Sequence, residues 1–400
     1  MVARLISSRP VAVVLLVLAL VGHVGLQLLP AWNKVSGSGA GRDFASYHYA
    51  VHVAADGGDP YDVDALTRAA RADRTRKSVQ PYFYPPPFLF AVWWAAPLSL
   101  RTAALAMLAL NEALLFACLA VLVGAFRAPL AGVALLLVAY TPIPDNAWMG
   151  QANLIALLPA LGGLALATRR PWLGGALVGT AAMFKMSPAL FLLWFVARGN
   201  LRAVFGAVAA AVGLSAASLV LVPLDVQVRF YTEVLPGFFS GSYHGLTVPI
   251  SLEANHSVPD LFDRVWDHPR PTQLSPTAQR ASHITALALL STWFLAFRQR
   301  PVAPPVPVDT AVGALTVLMV ALPAYTYEHH LVFLLPAVLA AARVAPIALF
   351  LPTFFFLAWP LPWLGWAKEA WPAGAPLVRE SKFIAEAALF ALLVAYGRRK

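Results

Sequence analysis

Long apolar stretches almost free of charged residues recur along the chain, and they constrain its fold more than any other feature. Of the 400 residues, 60% are hydrophobic and 12% are charged, whereas a typical soluble domain carries about 25% charged residues. A membrane-spanning helix needs roughly 20 mostly apolar residues, and stretches of this kind predict about ten to twelve spans. The sequence therefore predicts an all-α polytopic integral membrane protein, a single transmembrane domain over residues 1–400 whose last spans occupy about 346–400.

The chain is basic, with a formal net charge of +10. Such a charge on a soluble protein suggests nucleic-acid binding. Here, however, Lys and Arg collect in short loops beside the apolar stretches, which is typical of cytoplasmic anchoring. No basic run is interleaved with stacking aromatic residues in a polar domain, so we expect no nucleic-acid partner. The one cysteine, Cys118, lies inside an apolar stretch, which excludes an intramolecular disulfide and a cysteine-based metal site.

Basic clusters predict the orientation of the chain in the bilayer. They occur at 198–202, 298–300 and 398–400, and the positive-inside rule places all three on the cytoplasmic side. Counting spans between them puts two long polar loops, about 34–82 and about 225–282, on the outer face. We therefore expect the chemistry-bearing residues at the outer surface of the membrane.

The first outer loop contains a candidate general base and an aromatic entry to the next span. Asp43 follows the first apolar stretch closely, and a carboxylate at the membrane surface can accept a proton from a hydroxyl. The alternative is a solvated loop acid. Near the end of the loop, Tyr84 precedes three consecutive prolines. Tyrosine is typical of the membrane interface, so this residue is either an interface anchor or part of a binding site.

Polar residues also interrupt the apolar stretches that follow. Gln151 and Asn153 lie between two of them, and carboxamides at membrane depth need partners. The surrounding region 129–170 is either two spans or a hairpin that re-enters the membrane. Lys185 lies in another apolar stretch, and Pro188 predicts a break in that helix. A lysine at such a break is suited to bind a phosphate, although its side chain could instead extend to the interface.

Two polar residues also occur near the middle of the third apolar stretch. Asn111 and Glu112 are adjacent there, and an intramembrane carboxylate is a functional candidate by default. A contact between packed helices is the alternative.

The second outer loop and a later turn carry the remaining candidates. Asn255 and Ser257 form an Asn-x-Ser element, Arg264 follows it, and His329 and His330 are adjacent at the outer end of a late span. Neighbouring residues on a helix point about 100° apart, so the two histidines seldom share an ion. The His-Glu-x-x-His pattern of zinc enzymes is missing. We therefore predict no metal site, and expect one histidine to donate to a phosphate.

Taken in order, these elements resemble a known family. An Asp-Phe element is followed by a Gly-Asp-Pro-Tyr turn, a Tyr-Pro-Pro entry, Gly-Gln-x-Asn, an intramembrane Lys before Pro, Asn-x-Ser, and His-His before Leu-Leu-Pro-Ala. This series is similar to glycosyltransferase family 87 of the GT-C superfamily over about residues 10–345. The family includes mycobacterial polyprenol-phosphate-mannose-dependent mannosyltransferases. The order and spacing of the elements carry the resemblance, since each motif alone is unspecific.

The resemblance implies a GT-C-type helical bundle in a bacterial cell membrane, with its active site on the outer, periplasmic side. The implied reaction moves a hexosyl unit, mannosyl by family, from a polyprenyl phosphate to a glycolipid or glycan acceptor without a metal or other cofactor. Asp43 is implied as the catalytic base, and Asn255, Ser257 and His330 as residues near the donor phosphate or the acceptor. A single carboxylate acting as base implies inversion at the anomeric carbon.

The sequence also departs from the family pattern in two places. Residues 325–328 read Tyr-Thr-Tyr-Glu where a Ser-Pro-x-x-Trp-like pattern is expected, and His256 stands where glutamine is usual. These differences affect the identity of the acceptor more than the class of reaction.

Two other function classes fit the same apolar body. A transporter or flippase of lipid-linked sugars would use buried charges such as Lys185 and Glu112, but it would not need Asp43. A ligase or polymerase of surface polysaccharide would use a large outer loop to bind a diphosphate. The 225–282 loop contains four arginines and six acidic residues, which argues against that role.

Overall fold

A computed structural model describes residues 9–37, 41–266, 272–298, 310–359 and 363–397. These residues form helices and connecting turns, and none of them lies in a β-strand. The all-α prediction is therefore confirmed. Of the predicted cytoplasmic clusters, residues 299–300 and 398–400 lie outside the described part of the chain.

Most helices in the first part of the chain are separated by turns or loops, whereas the first two are joined by a π-helical turn, Val24–Leu28. In order they are α1 (Arg9–His23), α2 (Leu29–Ser36), α3 (Phe44–Ala55), α4 (Val63–Ala72), α5 (Phe88–Val92), α6 (Leu100–Gly124), α7 (Leu130–Ala139), α8 (Pro142–Met149), α9 (Asn153–Leu166), α10 (Pro171–Phe184), α11 (Phe191–Ala197) and α12 (Leu201–Ala217).

The second part begins with short helices and ends with longer ones. They are α13 (Leu224–Arg229), α14 (Leu235–Ser240), α15 (Val258–Val265), α16 (Pro276–Phe297), α17 (Thr310–Ala321), α18 (Leu335–Val344), α19 (Ile347–Ala358), α20 (Trp363–Ala370), α21 (Ala375–Arg379) and α22 (Ser381–Gly397). A 3₁₀ helix, Glu328–Leu334, leads directly into α18.

Three described helices are long and apolar enough to cross a membrane alone: Val13–Ser36, Leu100–Gly124 and Leu201–Val220. Helices α7 and α8 give a fourth if the pair, bent by 58°, counts as one span. Shorter apolar helices of 10–17 residues accompany them, because prolines and glycines divide the other apolar stretches. The polytopic membrane architecture is confirmed, while the number of about ten to twelve spans stays a prediction. The bend shows that region 129–149 is not one straight helix.

Both segments predicted as outer loops contain packed helices. Segment 34–82 contains α3 and α4, whose side chains Phe44, Tyr49 and Leu66 are completely buried. Segment 225–282 contains most of α13, all of α14 and α15, and the start of α16. The description of these segments as loops was therefore incomplete, because their helices lack the length that marks a span although α3 buries ten of its twelve residues and α4 buries Leu66 and Ala70.

Glycines bring α10 and α12 into backbone contact. A Cβ atom at Gly175 would overlap the carbonyl oxygen of Ala203, and one at Gly179 would overlap that of Ala207. Small residues spaced four apart allow membrane helices to approach this closely. The contact matters for the site described below, because α10 ends at Phe184, immediately before Lys185.

We expect Gly179→Leu to separate α10 from α12 and to lower the free energy of unfolding by about 3 kcal/mol, the upper range for overpacking. The measurement is the thermal unfolding midpoint of purified protein in detergent. Gly213→Leu is the matched control, since Gly213 lies on the partner helix α12 and has open space around its Cβ position. Equal midpoints for the two variants would contradict the packing argument.

Candidate active site

Asp43 and Gln151 join two turns that are far apart in sequence. Asp43 lies immediately before α3, and its Oδ2 accepts a hydrogen bond of 2.6 Å from Gln151 Nε2. The backbone N–H of Asp43 donates to the carbonyl oxygen of Met149 at 3.3 Å. The Asp43 side chain retains 28% of its exposure. The carboxylate is therefore held in place while part of it stays accessible.

Gly150 makes this approach possible. It ends α8 with a φ of 70°, in the left-handed region that favours glycine. A Cβ atom at this position would lie 2.6 Å from the Cβ atom of Phe44. The glycine of the Gly-Gln-x-Asn element thus allows the turn to contact the start of α3, which places Gln151 beside Asp43.

Two tyrosines connect Gln151 to Lys185. The Gln151 Oε1 atom accepts hydrogen bonds from the hydroxyls of Tyr47 at 3.2 Å and Tyr84 at 3.4 Å. These two hydroxyls lie 2.6 Å apart, and Lys185 Nζ donates to the Tyr84 hydroxyl at 3.3 Å. A continuous set of hydrogen bonds therefore runs from Asp43 through Gln151 and Tyr84 to Lys185. We call these four residues the Asp43–Lys185 chain.

Lys185 lies at a helix break, as the proline after it predicted. Helix α10 ends at Phe184, Lys185 has extended backbone angles, and Pro188 lies in a short 3₁₀ helix. The Lys185 ammonium lies 5.3 Å from the centre of the Tyr84 ring and 6.0 Å from that of Phe333, within the range of cation–π attraction. These contacts direct the side chain toward Tyr84 and Asp43.

Burial raises the pKa of Asp43 above its ordinary value, because desolvation disfavours the charged carboxylate. The hydrogen bond from Gln151 and the positive charges of Arg42, Lys185 and Arg76 act in the opposite direction. The net result is a carboxylate with a higher proton affinity than a surface aspartate has, which is the property of a general base.

His329 completes the immediate surroundings of Asp43. Its Nε2 lies 3.9 Å from Asp43 Oδ2, and its backbone carbonyl accepts a hydrogen bond of 2.8 Å from Asn153 Nδ2. Asn153 Nδ2 also donates to Asn146 Oδ1 at 2.9 Å, and Asn146 Nδ2 donates to Asn111 Oδ1 at 2.8 Å. Three buried carboxamides thus support the turn that carries His329.

Tyr47 and Asn146 belong to the site but were not among the predicted site residues. Tyr47 lies four residues after Asp43, so it shares a helix face with that position. Asn146 lies seven residues before Asn153, a second carboxamide in the same region. Both signals are present in the sequence but are weak, because neither residue belongs to a charged or repeated pattern.

Asn255 and Ser257 bind backbone groups of the segment before His329. The Asn255 side chain donates to the carbonyl oxygens of Ile250 and Ala324, each at 2.8 Å, and accepts from the Thr326 N–H at 2.8 Å. Ser257 donates to the Ala324 carbonyl at 3.2 Å and caps α15. The structure therefore places this motif against residues 324–326.

Arg264 and His330 also make local contacts. Arg264 pairs with Asp260 at 2.9 Å and with Glu380 at 3.5 Å. His330 Nδ1 accepts a hydrogen bond of 3.0 Å from the Tyr327 N–H, which closes its own turn.

The predicted site residues thus form two groups. Those that surround Asp43, or directly support its surroundings, are Tyr84, Gln151, Asn153, Lys185 and His329. Those whose described contacts brace neighbouring segments are Asn255, Ser257, Arg264 and His330.

Glu112 takes part in helix packing. Its Oε2 lies 2.8 Å from Nε2 of His23 on α1, which supports the packing alternative. Within the described ranges, no group of three or more His, Cys, Asp or Glu side chains is arranged to hold a metal ion.

Comparison with known proteins identifies the family. The model of glycosyltransferase family 87 matches residues 82–323, more than half of the chain. The chain belongs to this family. Gln151, Lys185 and Asn255 lie inside the matched residues, and Asp43 precedes them.

Two curated relatives are mycobacterial. One is the polyprenol-phosphate-mannose-dependent alpha-(1-2)-phosphatidylinositol pentamannoside mannosyltransferase of Mycobacterium tuberculosis, 29% identical over 306 residues, which are 73% of this chain and 65% of that protein. The other is the polyprenol-phosphate-mannose-dependent alpha-(1-2)-phosphatidylinositol mannoside mannosyltransferase of Mycolicibacterium smegmatis, 33% identical over 94 residues, which are 24% of this chain and 21% of that protein. The matches span less than two thirds of either relative. No solved structure matches the chain significantly.

We expect Asn146→Leu to destabilise the protein by about 1–3 kcal/mol, because it leaves the buried Asn111 Oδ1 and one N–H of Asn153 Nδ2 without a hydrogen-bond partner. Thermal unfolding in detergent measures this. Asn33→Leu is the control, since the Asn33 side chain is exposed on α2. A midpoint for Asn146→Leu equal to that of the control would show that the carboxamide series does not support the fold.

Proposed function

We propose that the protein is a membrane glycosyltransferase that moves a mannosyl unit from a polyprenyl-phosphate sugar to a lipid-linked or glycan acceptor. Membership of glycosyltransferase family 87 and the activities of the two mycobacterial relatives support this proposal. The observation that carries it is the Asp43–Lys185 chain, which holds a partly exposed carboxylate and an ammonium in the same site.

The proposed reaction is a single displacement. The oxygen of the acceptor hydroxyl forms a bond to the anomeric carbon while the bond from that carbon to the phosphate oxygen breaks. The bonding electron pair leaves with the polyprenyl phosphate, and the hydroxyl proton moves to Asp43. Because one carboxylate serves as base and no covalent sugar–enzyme intermediate forms, the anomeric configuration inverts.

Lys185 has the matching role on the leaving side. Negative charge develops on the phosphate oxygen as the bond breaks, and donors already in position stabilise this charge without reorganising. The Lys185 ammonium is such a donor, since the Tyr84 hydroxyl takes only one of its three N–H groups, and His329 lies close to the carboxylate in the same site.

The assignment of Asp43 depends on geometry, since this residue lies before the range matched by the family model. The contacts around Asp43 support its assignment as the base. Gln151, Tyr84 and Lys185 all lie inside the matched range. Gln151 donates directly to the Asp43 carboxylate, and Tyr84 and Lys185 are connected to that carboxylate through Gln151. A solvated loop acid would not be enclosed in this way.

The proposed location is the inner membrane of a bacterial cell, with the site on the outer, periplasmic face. The basic clusters at 198–202, 298–300 and 398–400 support this orientation, because counting the predicted spans between them puts segments 34–82 and 225–282 on the outer face. In this arrangement the whole chain acts as one transferase domain, the polyprenyl tail lies among the apolar helices, and transfer proceeds without a metal ion.

We expect Asp43→Asn to reduce transfer at least about 100-fold, because general-base catalysis contributes roughly 10²–10⁴-fold. The assay follows radiolabelled mannose from polyprenyl-phosphate-mannose into endogenous glycolipids in membranes containing the protein. Asp56→Asn is the control, since Asp56 is an exposed acid at the other end of α3. Equal transfer by wild type and Asp43→Asn would rule out Asp43 as the base.

We expect Lys185→Met to raise the KM for the donor about 10- to 100-fold, since a hydrogen bond to a charged group contributes about 1.5–3 kcal/mol. Lys185→Arg keeps the charge and should retain more of the affinity. Initial rates at varied donor concentration give KM, and thermal unfolding reports stability separately. A variant with normal KM and reduced stability would favour a lysine that only extends to the interface.

A further inference from the structure

Helix α22 begins with a buried lysine that pairs with the residue before His329. Lys382 Nζ lies 3.1 Å from Glu328 Oε2, and the two side chains are only 2% and 9% exposed. Lys382 Nζ also donates to the carbonyl oxygen of Leu357 at 2.8 Å. A lysine buried this completely needs a charged partner, and Glu328 provides it.

The position of Glu328 connects this ion pair to the site. Glu328 begins the 3₁₀ helix Glu328–Leu334, and His329 is its next residue. On the other side of the turn, Asn153 binds the His329 carbonyl. Asn153 therefore binds the backbone of His329, and Lys382 binds the side chain of the preceding residue, Glu328. The His329 ring projects from this turn to within 3.9 Å of the Asp43 carboxylate.

Glu380, two residues before Lys382, also contacts α15. Glu380 lies 3.5 Å from Arg264 and 2.9 Å from Arg379, and Arg264 pairs with Asp260 on α15. Residues 379–382 thus contact both the helix after the Asn-x-Ser element and the turn that carries His329. Residues 379–382 and Glu328 lie beyond the range matched by the family model, which ends at residue 323, whereas Arg264 and Asp260 lie inside it.

We infer that Lys382 and Glu328 are positioning residues of the active site, and that their ion pair fixes the His329 turn against Asp43. This inference rests on the proposed function for its catalytic consequence. Neither residue touches the reacting atoms in this assignment, and both act through the location of His329. Helix α22 is therefore part of the catalytic framework.

The first test requires no activity. Hydrogen–deuterium exchange of the purified protein in detergent is compared between wild type, Lys382→Met and Lys382→Arg. Lys382→Met should exchange faster in peptides covering 325–334, with peptides from α10 and α12 unchanged, and Lys382→Arg should stay close to wild type. Uniformly faster exchange, or unchanged exchange in 325–334, would overturn the inference.

The second test separates kcat from KM in the transfer assay. Lys382→Met should lower kcat about 10- to 100-fold, the size of effect that follows displacement of a site group by about 1 Å, while the donor KM stays within about twofold. Lys382→Arg should restore most of kcat. An unchanged kcat for Lys382→Met would overturn the catalytic part of the inference.

A matched ion pair provides the control. Lys368 pairs with Glu253, and both side chains are about half exposed, so Lys368→Met removes a lysine ion pair of the same region without opening a buried site. It should leave exchange in 325–334 and kcat unchanged.

A further variant covers the case in which Lys382→Met does not fold. Glu386 is also buried on α22 and interacts electrostatically with both Lys382 and Glu328. Lys382→Met combined with Glu328→Gln and Glu386→Gln therefore removes all three buried charges, which avoids an uncompensated carboxylate. This triple variant should fold, exchange faster in 325–334 and transfer slowly. A folded triple variant with normal exchange and normal kcat would overturn the inference. Failure of the proposed function is distinguishable, because it would abolish the difference between wild type and Asp43→Asn in transfer while the exchange result stands.

Discussion

The hydrogen bonds of the Gln151 side chain are the interactions on which the site depends. Hydrocarbon offers no hydrogen-bond partners, so polar side chains inside a membrane bundle have to bind one another. Gln151 donates to Asp43 and accepts from two tyrosine hydroxyls. A single carboxamide thereby connects the turn before α3, the turn before α9 and the entry to α5. An apolar residue at position 151 would leave Asp43, Tyr47 and Tyr84 without their common hydrogen-bond partner.

Interruptions of regular helix determine where these polar groups meet. Gly150 ends α8 in a left-handed conformation, Lys185 separates α10 from the following 3₁₀ turn, and Glu328 begins another 3₁₀ helix. A continuous membrane helix satisfies its own backbone and directs its side chains toward lipid or neighbouring helices. At a break, backbone groups become available and the chain changes direction. The site of this protein lies where such breaks approach one another, which explains why the spans on either side are short.

Sequence reasoning reached the parts of this arrangement that depend on local pattern. Apolar length predicted the all-helical membrane architecture, and Pro188 predicted the break at Lys185. It did not reach the parts that depend on distant pairing. Lys382 lies in an apolar stretch and pairs with Glu328, 54 residues earlier, and no local pattern reports such a partner. The same limit applies to α3 and α4, because their burial is decided by surfaces contributed from elsewhere in the chain.

The two carboxamide motifs show why residue type alone does not assign a role. Gln151 and Asn255 are both buried amides in short polar elements, yet Gln151 binds a carboxylate whereas Asn255 binds backbone groups on both sides of its turn. The backbone contacts of Asn255 still support the site that contains Gln151. Asn255 holds residues 324–326, Lys382 holds Glu328, and Asn153 holds His329. A turn fixed by three independent sets of contacts does not need to reorganise when charge develops beside it, and this absence of reorganisation is what makes oriented donors effective in catalysis.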